Sequence, residues 1–223
     1  MRRPLLAVSA TVLLSTSPVA AQPAPKPPPT AQAEPTPRPS VFTAAAERTR
    51  IALSRVPAPR PEDVRSSEAL VAALYDVISG PAGQARDWQR FRSLFFPGAP
   101  LVPVRRAKSG GTAPGIAPIT PDDYVTWGTD YFQKHGFHEK ETHRQVTGYG
   151  DLRTVLSAYE TRESPEGPVM GRGVNSLQLV FDGQRWWVLH LAWTDETAAG
   201  SPVPREFSLP PGAHGAATPT PSK

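Results

Sequence analysis

RGVNSLQLVFDGQRWWVLHLAWTDE, Arg172 to Glu196, holds two runs of apolar, β-branched and aromatic residues joined at Asp182-Gly183. Asp-Gly readily takes up the left-handed backbone of a tight turn, and runs of this composition favour strands. The stretch therefore reads as a long β-hairpin. Side chains alternate across a strand, so pairing register decides which residues share a face. Whether the loop is the two residues Asp182-Gly183 or the four residues Asp182 to Arg185, odd positions of the first strand share a face with even positions of the second. One face then carries Asn175, Leu177, Leu179 and Phe181 with Trp186, Val188, His190 and Ala192. The other carries Val174, Ser176, Gln178 and Val180 with Trp187, Leu189, Leu191 and Trp193. Both faces are largely apolar, and neither is expected to lie wholly open to water.

Upstream of the hairpin, Phe137 to Thr147 has strand character and leads through Gly148-Tyr149-Gly150-Asp151 into a second strand, Leu152 to Glu163. A polar loop, Ser164 to Gly171, separates this pair from the hairpin. Helices precede the strands. A capping signal at Ser67 opens a helix with Leu70, Leu74, Val77 and Ile78 at helical spacing, stopped by Gly80-Pro81. Asp87 to Phe96 predicts a shorter helix with Trp88, Phe91, Leu94 and Phe95 inward, and Leu101 to Val104 a short strand. Ala107 to Pro118 is a loop rich in Gly, Ser and Pro. Thr120-Pro121-Asp122-Asp123 combines a capping hydroxyl, a proline at the first helical position and carboxylates at the positive end of the helix dipole. That helix carries Tyr124, Trp127, Tyr131 and Phe132 and stops at Gly136. Helices first and an antiparallel sheet after make one α+β domain over residues 66–204.

The 28 prolines among the 223 residues gather towards the two ends, which limits the part of the chain that can pack. Residues 1–21 carry Arg2-Arg3, a short apolar run and the small residues Val19-Ala20-Ala21, the features of an export signal cleaved before Gln22. Residues 22–65 read as a Pro-rich linker in which Val41 to Arg55 forms either a marginal helix or a packed one. Residues 205–223 read as a disordered tail. With 0 cysteines, an exported chain fits a bacterial periplasm or the medium better than a disulfide-forming secretory route. The apolar run of the leader is too short and too polar for a comfortable membrane span, and none is expected after cleavage. The net charge of +4 falls to about +2 once Arg2 and Arg3 leave with the leader. No basic cluster interleaved with aromatics occurs, which argues against nucleic-acid binding.

The segments SEALVAALYDVISG, DWQRFRSLFFPGA, YGDLRTVLSAYE and GQRWWVLHLAW, in this order and spacing, resemble the nuclear-transport-factor-2-like (NTF2-like), or SnoaL-like, superfamily. The resemblance implies a cone: a strongly curved antiparallel sheet wrapped around about three N-terminal helices, with a pocket at the open end. It also implies a homodimer through the outer sheet face, here the face bearing Trp187, Leu189, Leu191 and Trp193. Docking of the Val41 to Arg55 segment is the rival cover for that face.

Enzymes of that superfamily place acids, bases and tyrosines inside an apolar cone, where desolvation shifts a carboxylate or imidazole towards neutrality. The candidates here are Trp88, Tyr159 and Trp186 as pocket walls, with Asn175 and His190 orienting a small apolar or amphipathic ligand. If the chain is a lyase, isomerase or hydrolase, His190 or His143 is the candidate general base. The competing reading makes His190 a space-filling side chain satisfied by one partner, Asn175 a buried amide tying a strand to a loop, and Tyr159 and Trp88 core aromatics. His135, His138 and His143 lack the spacing of a zinc site, and no cofactor motif is present. No catalytic set maps onto the enzymes of the superfamily, and fold analogy alone confers no reaction.

Overall fold

Side-chain caps set the helices of this chain, and strand pairing sets the rest. The computed structural model describes residues 40–107 and 115–207. The expectations for residues 1–39, for 108–114 of the Gly-rich loop and for 208–223 lie outside the described residues. The order is α1 (Val41–Leu53), α2 (Pro61–Val64), α3 (Ser67–Ile78), α4 (Trp88–Ser93), β1 (Leu101–Pro103), α5 (Pro121–Lys134), β2 (His138–Tyr149), β3 (Leu152–Arg162), β4 (Val169–Phe181), β5 (Trp186–Asp195) and α6 (Glu196–Ala199). A turn of 3-10 helix, Arg205–Phe207, follows.

Ser66 Oγ accepts the Ala69 N–H at 3.1 Å and opens α3. Thr120 and Asp123 form a reciprocal capping box at the start of α5, with Pro121 in the first turn. One face of α3 is then free to bury Leu70, Val71, Leu74, Tyr75 and Val77. Those residues pack with Phe91, Leu94 and Phe95 around α4, and with Val155, Tyr159, Leu177, Leu179 and Val188 of the sheet. Each such apolar side chain contributes about 1.5–3 kcal/mol when fully withdrawn from water. By contrast, α1 buries none of its residues, and Phe42 is 86% exposed, so the 41–55 segment forms a helix without packing one.

The sheet runs β1-β5-β4-β3-β2 and curves without closing. The four long strands are antiparallel, as expected. The short first strand is not: β1 lies parallel to β5, with Leu101 opposite Leu191, so the sheet is mixed. The closing hairpin turns through the four residues Asp182 to Arg185, with Phe181 opposite Trp186. Asp182 Oδ1 accepts the N–H groups of Gln184 and Arg185 at 2.8 and 2.9 Å, and Gly183 takes the positive φ of +96°.

Two bulges shift the register, and the one in β5 overturns the parity expected for the closing hairpin. In β5 the register slips at Leu189: Leu179 faces Val188, but Gln178 faces His190. Beyond this point Leu191 stands opposite Leu177 and Trp193 opposite Asn175, on the inner face. His190 is on the outer face with the exposed Gln178, not inside with Asn175. In β2 the slip falls at Thr142, so Glu141 pairs with Tyr159 whereas His143 pairs with Ala158. An extra residue in one strand reverses the facing of everything after it, and a strict alternation rule misses this.

The slips also change the outer face. Leu191 and Trp193 leave it, and Trp187 is covered from within the chain. The Trp187 indole donates to Asp182 Oδ2 at 2.7 Å, lies 3.6 Å beneath the Arg185 guanidinium and meets Phe96 edge-on. Of the four residues expected to form the apolar dimer surface, Leu189 alone has no such explanation.

Candidate functional site

The end of α3 and the start of β2 are stitched together, and this placement defines the site. Gly80 and Phe137 exchange backbone hydrogen bonds at 2.7 and 2.9 Å. Ser79 Oγ donates to the Tyr75 carbonyl at 2.7 Å and accepts the Glu139 N–H at 3.0 Å. The buried Arg86 guanidinium secures the junction from below, donating to the carbonyls of Ile78 at 2.9 Å and Gly80 at 2.7 Å while lying over the Phe132 ring. The consequence is that Phe137 and Glu139, two positions apart, both face inward.

A cavity of about 870 Å³ lies between the helices and the inner sheet face. Its apolar wall comes from Val71, Leu74 and Ile78 of α3, Phe91, Leu101, Leu177, Leu191 and the Trp193 indole. Its buried and half-buried polar groups are Glu139, Asn175, Thr161, Asp195, Glu196 and the phenols of Tyr75, Tyr124 and Tyr159, and the exposed Arg172 also lines it. Arg105, Arg106 and Thr197 line it where it meets solvent. A volume of this size, mainly apolar with a few convergent polar groups, has the make-up of a small-molecule site.

Asn175 Nδ2 donates to Glu139 Oε1 and to Tyr75 Oη, both at 3.1 Å. No described residue donates to Glu139 Oε2. Burial pushes the Glu139 carboxyl up to about 7, against the Asn175 hydrogen bond, which acts to lower it. Burial also raises the phenols of Tyr75, Tyr124 and Tyr159, with the Glu139 charge adding to each, so all three stay protonated near neutral pH. A carboxyl poised near neutrality beside protonated phenols is equipped to accept a proton and to donate hydrogen bonds to a developing oxyanion.

Tyr159 reaches the cavity because its partner across β4 is Gly173. A Cβ at Gly173 would stand 2.4 Å from Tyr159 Oη and 2.4 Å from the Thr194 carbonyl oxygen. The glycine is needed here for close approach.

Of the residues singled out in the sequence, Tyr159 and Asn175 line the cavity. Trp88 does not: it stacks on Phe132 and meets Phe91 edge-on, in a contact that Gly128 makes possible, since a Cβ there would lie 2.9 Å from the indole. Trp186 packs on the core beside Phe181 and beneath the Arg153 guanidinium, away from the cavity lining. Neither His190 nor His143 lines the cavity, which corrects their reading as pocket bases. His143 is buried under Phe207, and its Nε2 has no hydrogen-bond partner among the described residues. No group of His, Asp or Glu suited to a metal ion occurs among the described residues.

Glu139 and Tyr75 were missed in the sequence. The signal for Glu139 was its place two residues after the apolar Phe137, on the same side of a strand. Tyr75 shares the helical face of Val71, Leu74 and Ile78, the spacing that marks the inner side of α3.

No protein-family model and no curated protein matches the chain. Solved structures do. An NTF2-like protein of unknown function from Silicibacter pomeroyi is 14% identical, with a TM-score of 0.39 over 67% of this chain and 98% of that one. A protein of unknown function with a cystatin-like fold from Nostoc punctiforme is 12% identical, with a TM-score of 0.44 over 57% of this chain and 86% of that one. A function-unknown protein from Mycobacterium tuberculosis is 11% identical, with a TM-score of 0.44 over 77% of this chain and 84% of that one. At such identities and scores, these similarities assign no activity.

Proposed function

With the NTF2-like fold as premise, we propose that the cavity binds a small, largely apolar molecule and that Glu139 is the group that engages its polar end. The observation that carries this reading is a carboxylate lining a largely apolar cavity, with Oε1 held by Asn175 and Oε2 without a described protein donor. Such a carboxylate favours a ligand with one donor, a hydroxyl or an acidic C–H, on an apolar frame. Export completes the reading, supported by Arg2-Arg3, the apolar run and Val19-Ala20-Ala21. A second copy of the chain against the outer sheet face belongs to the same reading, although Leu191 and Trp193 are no longer part of that surface.

A second reading is an enzyme of the lyase or isomerase type, and one observation favours it: a carboxyl at about 7 is matched to proton transfer near neutral pH. In this reading Glu139, not a histidine, is the general base, and a cavity phenol stabilises the oxyanion.

Screening apolar alcohols, phenols and ketones by thermal shift, followed by calorimetry on wild type and Glu139→Gln, tests the binding reading. Ligands that bind the two proteins equally, or bind neither, would remove Glu139 from it. Turnover of any ligand found, lower by about 10²-fold or more in Glu139→Gln, separates the enzyme from the binding module.

A further inference from the structure

Glu139 is the inner end of a chain of hydrogen bonds that starts at the β2 edge of the sheet, on the same face. Arg144 donates Nε to Glu141 Oε1 at 2.8 Å and Nη2 to Glu141 Oε2 at 2.5 Å. Ser157, wholly buried, touches Glu141 Oε1 with its hydroxyl and Tyr75 Oη with the same oxygen, the latter at 2.6 Å. Tyr75 Oη meets Asn175 Nδ2, and that amide meets Glu139. Four elements, α3, β2, β3 and β4, contribute one line of contacts.

Counting protons gives this line a direction. A guanidinium donates only, so Glu141 is an ionised acceptor. Ser157 has one proton and gives it to Glu141. Tyr75 must therefore give its own proton to Ser157, and its oxygen is left to accept. The group that reaches Tyr75 from Asn175 is thus the amide NH₂, whose second hydrogen points at Glu139. With Asn175 turned over, its carbonyl oxygen would face both the Tyr75 lone pairs and Glu139.

We propose that Tyr75, Ser157 and Glu141 are positioning residues for Glu139: paired to Arg144, they orient Asn175 so that the cavity carboxylate meets a donor. The remote ion pair thereby favours the charged form of Glu139. This inference deepens the proposed function and rests on Glu139 being the working group of that site.

The other titratable groups turned towards Glu139 do not compete for this role. The phenols of Tyr75 on α3, Tyr124 on α5 and Tyr159 on β3 are neutral near pH 7. Asp195 acts on Tyr159 and Arg86 on Tyr124, both beyond the phenols, and Glu68 acts on Arg144. His138 and Lys140, the strand neighbours of Glu139, alternate to the opposite side.

The test is the titration of Glu139 in the ligand-free protein, followed by carboxyl carbon NMR and assigned with Glu139→Gln. Glu141→Gln, Ser157→Ala and Tyr75→Phe are each expected to move the Glu139 midpoint to higher pH by about one unit, whereas Ser157→Thr, which keeps the hydroxyl, leaves it in place. Unchanged midpoints in folded Glu141→Gln and Ser157→Ala overturn the proposal, as does a shift in Ser157→Thr equal to that in Ser157→Ala. If Ser157→Ala or Tyr75→Phe fails to fold, the half-buried Glu141→Gln decides alone. Because no ligand is present, failure here leaves the binding reading standing. A cavity that takes no ligand, with the midpoints shifting as expected, would instead remove the binding reading and keep the relay.

Discussion

Asn175 stands opposite Trp193 across the closing hairpin, and both line the cavity. Without the slip at Leu189, Asn175 would share its face with His190 and Ala192, and the indole would lie outside. Trp193→Ala is therefore expected to weaken binding of a cavity ligand by about tenfold or more, given the area an indole buries. His190→Ala is expected to stay within about twofold, as surface substitutions away from a site do. Calorimetry on the two variants checks this, and the reverse ranking would sink the assigned register.

Glu139 makes stability depend on pH with a calculable sign. Its carboxyl is raised to about 7 in the folded protein from an ordinary value near 4.5, so the folded state holds its proton more tightly than the unfolded chain. Stability is then lost as pH climbs from 4.5 to 7 and stays low above 7. Glu139→Gln removes the ionisation and should stabilise the protein by on the order of 2 kcal/mol at pH 8, with the gain shrinking towards zero below pH 4.5. Urea unfolding at both pH values measures the difference; equal gains at the two would contradict the assignment.

Arg90 ties three helices together. It donates to both oxygens of Asp63 at 2.7 and 2.8 Å and also reaches Asp76, with the Arg90 and Asp63 side chains only 12% and 6% exposed. Arg90→Ala leaves the Asp63 carboxylate buried without its partner and should cost about 3–5 kcal/mol in chemical unfolding. Arg50→Ala removes only the exposed pair with Glu47 on α1 and should leave the unfolding midpoint unchanged.

Gly173 is the contact through which Tyr159 enters the cavity. Gly173→Ala places a methyl group where Tyr159 Oη and the Thr194 carbonyl already stand, and a cost of about 1–3 kcal/mol is expected from overpacking. The same variant should change ligand affinity in step with Tyr159→Phe. Full retention of both stability and affinity would show that the ring has room to spare.

No described helix is long and apolar enough to cross a membrane.

Local chemistry is legible in the chain without coordinates. A hydroxyl before α3, the Thr-Pro-Asp-Asp start of α5, the Gly-Pro stop and the Asp-Gly turn each act over about four residues, and each formed where it was read except the α3 cap, which is Ser66 and not Ser67. The α+β order and the four antiparallel strands follow from such signals. The candidate site does not, because it depends on where two strands slip past one another. Thr142 and Leu189 look like any other strand residues. Their bulges belong to the pairing of each strand with its neighbour, which is decided between segments distant in the chain. Hence Tyr159 and Asn175, on strands read in the right sense, lie in the cavity, while His143 and His190, each just beyond a bulge, lie outside. Glu139 acquires its character in the same way: a carboxylate after a helix stop is ordinary until Tyr75, Tyr124 and Tyr159, drawn from three other elements, close around it and take away its water.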